Sequence, residues 1–164
     1  MAPSPRPAHA AQGQSGAGTT QPGRRREVVV SGKRVKTVDV HAHTIVPEAA
    51  AVINHPLEAP GLLWSNVADR IGEMDAEGVD VEALSINPYW YRAERDAAAE
   101  LIKIQNEKLA EFCASHPDRF VAFATVALQH PQLAVEQLEY AIKTLGLRGL
   151  SVGGSVAGEE LANP

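Results

Sequence analysis

The sequence predicts an α/β fold of parallel strands and helical crossovers, the N-terminal half of a (β/α)8 TIM barrel with about four βα units. Three observations lead there. Apolar strand-like runs alternate with helix-period segments from Arg34 onward, in the order strand, helix, strand, helix, strand, helix, strand. No glycine-rich phosphate loop follows the first strand. In its place stands His41-Ala42-His43, at the carboxyl end of the strand, where barrels carry their chemistry. A doubly wound open sheet would be complete at 164 residues, whereas a barrel typically needs about 250. The histidines favour the barrel, so the chain is expected to stop after the fourth strand of eight, leaving an exposed edge that invites homodimerisation.

Each element has its own signal. Glu27 to Val30 and Arg34 to Val40 flank Ser31-Gly32, predicting a short hairpin that merges into the first core strand. Thr44 to Ser65, with Pro47, Pro56, Pro60 and Gly61, reads as a long loop. Asn66 is placed to cap a helix with Val67, Ile71 and Met74 on one stripe, closed by Gly78 in the left-handed conformation. Val79 to Ile86 reads as a buried strand ended by Asn87-Pro88. Asp96 to Ser115 is the longest helical segment, with Ile102, Leu109, Phe112 and Cys113 on one face. Arg119 to Leu128 follows as a strand. Pro131 suits the first turn of a helix striped by Ala134, Leu138, Ala141, Ile142 and Leu145 and closed by Gly146. Leu147 to Val152 is the fourth strand.

Composition narrows the function classes. Residues 1–26 contain no acidic residue and no apolar run and are rich in Ala, Pro, Gly, Ser, Thr and Gln, which predicts a disordered tail ahead of a domain over residues 27–164. Four of the fifteen basic residues, Arg6, Arg24, Arg25 and Arg26, lie in that tail. The domain therefore has eleven basic against twenty acidic residues, a net charge of −9, which argues against nucleic acid as a partner. Arg24-Arg25-Arg26 reads as a solvated cluster, because no apolar segment follows to make it an export signal. No stretch approaches the ~20 apolar residues of a membrane span, and the single cysteine, Cys113, fits a reducing compartment, so a cytoplasmic protein is expected. Cys113 itself reads as a small core residue.

His41 and His43 are the candidate metal ligands. Residues two apart on a strand share a face, so both imidazoles can converge on one cation. Asp39 shares that face by the same period and is expected to point inward below the ion. The spacing alone is weak, since six His in 164 residues give His-x-His by chance about 0.2 times.

Five blocks in order raise it: Thr37-Val38-Asp39-Val40-His41-Ala42-His43, Arg70 to Asp80, Ala83-Leu84-Ser85, His116-Pro117-Asp118-Arg119-Phe120 and Gly146-Leu147-Arg148-Gly149-Leu150. Over residues 35–154 the chain resembles the N-terminal half of the amidohydrolase-related metalloenzymes, nearest the branch of aminocarboxymuconate-semialdehyde and resorcylate-type decarboxylases. The resemblance implies a barrel holding one divalent ion, zinc first and manganese second, with His41 and His43 as its first two ligands. The family's third His ligand, its catalytic His and its Asp have no counterpart here, so no catalytic residue is assigned. The activity implied is metal-dependent loss of carbon dioxide from a small unsaturated or aromatic carboxylic acid. Hydrolase or hydratase chemistry and a catalytically inactive truncated remnant are the alternatives.

The resemblance also gives Arg70 the substrate carboxylate, which its guanidinium fork would grip; the rival role is pairing with Glu73 or Asp69 on its own helix. Tyr89 and Trp90, in the loop after the second strand, are candidates to line a pocket for a flat acid or else to pack on the barrel rim. His55, beside Pro56, reads as a solvated loop residue.

Overall fold

A computed structural model describes residues 25–57, 62–63 and 67–162. The chain enters through a hairpin, β1 (Val29–Val30) on β2 (Lys33–Arg34), whose turn residues Ser31 and Gly32 both have positive φ, 50° and 75°. That pairing matches the right-handed strand twist. The core is a parallel sheet in the order β3 (Val38–His43), β4 (Val81–Ser85), β5 (Phe120–Ala122). Between these strands run α2 (Val67–Glu77) and α3 (Arg95–Ser115), and α4 (Pro131–Lys143) follows β5. A last hairpin pairs β6 (Ser155–Val156) with β7 (Glu159–Glu160).

Several expectations need correction. The segment read as a loop after His43 contains a helix, α1 (Pro47–Val52), with Pro47 in its first turn and Ala49 and Ala50 buried against α3. Proline at a helix start costs nothing, because that N–H has no helical partner in any case. The third strand is regular only over β5, because the backbone at Thr125 is drawn to a side chain of α3. The fourth survives as one parallel bridge, Ala124 to Leu150, with Arg148 N–H on Ala122 O (2.8 Å) and Ser151 N–H on Ala124 O (3.0 Å). On the helices, Phe112 and Cys113 are only half-buried and Ile142 is exposed; the buried stripes are Leu101, Ile102 and Leu109 on α3 and Leu133, Ala134 and Ala141 on α4. The Asn66 cap and residues 1–24 of the expected tail lie outside the described residues. Arg25, assigned by sequence to a solvated cluster, instead forms ion pairs with Asp75 (3.5 Å) and Asp80 (2.6 Å).

Asp80 holds the amino ends of the strands together. Gly78 closes α2 at φ 83° and turns the chain so that buried Asp80 enters β4 opposite Thr37. Its carboxylate accepts the Thr37 N–H (2.7 Å) and side-chain bonds from Arg34 and Arg25, while its carbonyl accepts from Arg119 (3.1 Å). The Thr37 N–H first, then the two guanidinium groups, outweigh burial and hold the Asp80 pKa at about 2, below the ordinary 3.8.

At the opposite end, the rim is packed rather than open. Trp90 is fully buried and its indole N–H donates to Val126 O (2.9 Å). Asn106, buried on α3, brackets Thr125 by donating to its carbonyl (2.9 Å) and accepting its N–H (2.8 Å), and Gln105 accepts the Thr125 hydroxyl (2.9 Å). These polar groups satisfy one another where water is excluded.

Two outcomes follow. A carboxylate depressed by folding contributes stability above about pH 4 that fades as pH falls toward 2. Acid unfolding followed by circular dichroism should therefore be steeper between pH 4 and 2 for the wild type than for Asp80→Asn; equal slopes would remove the latch role. Trp90→Phe orphans the Val126 carbonyl and trims the packed ring, and denaturant unfolding should show a loss of about 1–3 kcal/mol. A Trp90 that served only a ligand would leave stability unchanged.

Candidate metal centre

The His pair is built by an irregularity in β3. Its register on β4 runs Val38 to Val81 and Asp39 to Glu82, then shifts, and resumes with Ala42 to Leu84 and His43 to Ser85. One extra residue in β3 makes this a β-bulge, a device that re-aims side chains. Asp39 Oδ1 accepts the His41 N–H (2.8 Å) across the bulge. The shift breaks the period of two, so Asp39 pairs with Glu82 and His43 with Ser85, two positions of opposite parity on β4. Asp39 is therefore a brace for the bulged backbone, not an acid sharing a face with His43.

His41 and His43 nonetheless converge. Their Nε2 atoms lie 3.1 Å apart and their rings meet edge to face with centroids at 4.6 Å. Two imidazoles bound to one cation at about 2.0–2.1 Å and an angle of about 100° have this nitrogen separation. His41 is exposed and His43 half-buried. On its inner edge, His43 Nδ1 lies 3.0 Å from Ser85 Oγ. The donor set and its convergence fit a divalent metal as two of its ligands. Among the described residues no third His, Cys, Asp or Glu completes a cluster with them, and catalytic zinc normally takes three protein ligands.

The other candidates are arranged differently. Arg70 forms an ion pair with Glu82 of the next strand. Its Nε donates to Glu82 Oε2 at 2.5 Å, and both terminal nitrogens lie 3.4 Å from the His43 carbonyl oxygen. With side chains 19% and 12% exposed, Arg70 and Glu82 form a half-hidden tie between α2 and the metal-ligand strand. These contacts hold Arg70 against the strand that carries the candidate ligands. Trp90 presents no surface and is a packing residue. Tyr89 accepts a bond from Gln105 at its hydroxyl (2.9 Å) and stacks flat on His55, centroids 4.2 Å apart, so His55 is a packing partner rather than a solvated residue. Burial raises the Tyr89 pKa, against the pull of Gln105. Burial also pushes the Cys113 thiol up to about 11, which suits a core residue rather than a nucleophile. A concavity of about 590 Å³ opens elsewhere, between Val46 and Pro47 on one side and Lys108 and Phe112 on the other.

Sequence reasoning missed Ser85 and Glu82. Both sit in the strand Val79 to Ile86, and pairing that strand in parallel beside the histidines would have brought them into view. No described helix is long and apolar enough to cross a membrane.

The chain is 37% identical over 105 residues to gamma-resorcylate decarboxylase of Rhizobium sp. (strain MTP-10005), an alignment covering 58% of this chain and 32% of that protein. It is 30% identical over 97 residues to 2-amino-3-carboxymuconate-6-semialdehyde decarboxylase of Dictyostelium discoideum, covering 58% and 27%. Among solved structures, a dihydroxybenzoic acid decarboxylase from Polaromonas sp. JS666, with bound manganese and the inhibitor 2-nitroresorcinol, superimposes with a TM-score of 0.63 at 29% identity over 73% of this chain and 38% of that one. The chain thus spans about a third of the length of the curated relatives it matches. The parallel sheet is that of the amidohydrolase TIM barrels. With the amidohydrolase family model matching residues 38–164, the resemblance read from the five sequence blocks is borne out, and the chain belongs to the amidohydrolase family.

Proposed function

We propose that His41 and His43 are two protein ligands of a single divalent cation in a carboxy-lyase that releases carbon dioxide from a small aromatic or unsaturated carboxylic acid. The observation that carries this reading is the 3.1 Å approach of the two Nε2 atoms at the carboxyl end of β3. The decarboxylases among the relatives, acting on resorcylate, dihydroxybenzoate and a carboxymuconate semialdehyde by name, supply the reaction class. Manganese in the Polaromonas structure makes it the first metal to test, with zinc beside it.

When bound, a divalent ion would act as a Lewis acid toward substrate oxygen. Both imidazoles must present an unprotonated Nε2 to ligate, so protons compete with the metal for the site. Arg70 and Glu82 hold the strand end that carries His43.

Titration of the metal-free chain with manganese or zinc, read by calorimetry, should show one site per chain that weakens at least about tenfold in His41→Ala and in His43→Ala. Unchanged affinity in both variants would sink the ligand assignment. For the reaction, incubation of the enzyme with 2,6-dihydroxybenzoate should release carbon dioxide only when manganese or zinc is present, with the His43→Ala rate lower by about tenfold or more. Metal-dependent lactone hydrolysis without carbon dioxide would replace carboxy-lyase by hydrolase.

A further inference from the structure

We propose that Ser85 is a positioning residue for the metal centre: its hydroxyl accepts the His43 Nδ1–H and thereby keeps the His43 Nε2 lone pair turned toward the cation. The inference deepens the metal reading above and rests on it for its consequence, though not for its geometry.

The contact depends on the strand register. His43 pairs with Ser85 only because the bulge has already consumed one residue of β3; unshifted, it would face Ile86, which has no polar side chain. Ser85 is 6% exposed, so its hydroxyl has little water to turn to, and its Oγ lies 3.0 Å from His43 Nδ1. The Ser85 carbonyl is already used, accepting the Thr44 N–H at 2.9 Å, which pins the chain immediately after His43 to the same residue. His43 is thus fixed at its ring by the Ser85 hydroxyl, behind its backbone by the Ser85 carbonyl, and at its own carbonyl by Arg70.

Two proton arrangements satisfy these distances. In one, Ser85 donates to Nδ1 and His43 Nε2–H donates to His41. In the other, His43 Nδ1–H donates to Ser85 and the proton between the two Nε2 atoms belongs to His41. Only the second leaves His43 Nε2 as an unprotonated acceptor, its lone pair turned toward His41 and the point where a shared cation would sit. A histidine ligand commonly has its remote N–H held by an acceptor, and a hydroxyl oxygen can take that part. Binding a cation there then requires a tautomer change at His41 alone, its ring proton passing by way of solvent from Nε2 to Nδ1, and no rearrangement of His43.

The test uses the full 164-residue chain and has two independent readouts. Long-range ¹H–¹⁵N correlation spectra of the metal-free chain at pH 8 should show His43 protonated at Nδ1 and bare at Nε2, and Ser85→Ala should lose that fixed tautomer and give a mixture of the two. Calorimetric titration with manganese or zinc should then show affinity lower by about 10- to 100-fold in Ser85→Ala, with Ser85→Thr, which restores a hydroxyl, recovering most of it. Thermal unfolding by circular dichroism confirms that both variants are folded before either comparison is made. A wild-type His43 protonated at Nε2, or a Ser85→Ala chain with unchanged tautomer, overturns the proposal whether or not metal binds. If the wild type binds metal and both Ser85 variants bind it equally, Ser85 has no positioning role while the metal reading stands. If the wild type takes up neither metal, the metal reading fails and the positioning role fails with it, whatever the tautomer.

Discussion

The parallel pairing of β3 on β4 is the constraint on which the rest of this structure depends. At its lower end Asp80 takes the Thr37 N–H and fixes where the two strands begin. At its upper end the same ladder brings Ser85 beside His43. Between the two lies a bulge of one residue, held by the Asp39 carboxylate on the His41 N–H. A slip of one residue anywhere in this pair would exchange the faces of every side chain above it. The histidine geometry is therefore a property of the two-strand register, not of the tripeptide alone.

Polar groups carry much of that register, and they are unevenly placed. Asp80 gathers Arg25, Arg34 and Thr37 at the amino ends of the strands, the end that in barrels serves stability. Arg70, Glu82 and Ser85 lie at or reach toward the carboxyl ends, where they hold a ligand residue by its carbonyl and its ring. The apolar layer between sheet and helices, with Leu84, Leu101, Ile102, Leu109 and Phe120 fully or nearly buried, supplies the burial that makes those polar contacts specific.

Much of this was legible in the sequence, for reasons that can be located. The turn at Ser31-Gly32, the left-handed close of α2 at Gly78 and the first-turn proline of α4 are local signals, and each stands where the residue chemistry puts it. The five blocks identified the family. What was not legible is non-local. Period-two alternation placed Asp39 with the histidines because nothing in Val38 to His43 announces a bulge; the shift is a relation between two strands. Arg70 had acidic neighbours on its own helix, yet it also reaches Glu82, twelve residues on and in the next strand. Trp90 stood in a loop by local punctuation, while its burial depends on Val126, brought near only by the third strand. The proline-rich stretch after Thr44 hid α1 because the same residue that breaks a helix also begins one.

The claim at the centre is that one cation is shared by His41 and His43, and its most direct measurement is the X-ray absorption spectrum of the zinc-loaded chain. The account predicts two imidazole nitrogens at about 2.0–2.1 Å, with oxygen donors filling the rest of the coordination sphere. A spectrum fitted by oxygen alone, with no imidazole scattering, would contradict it.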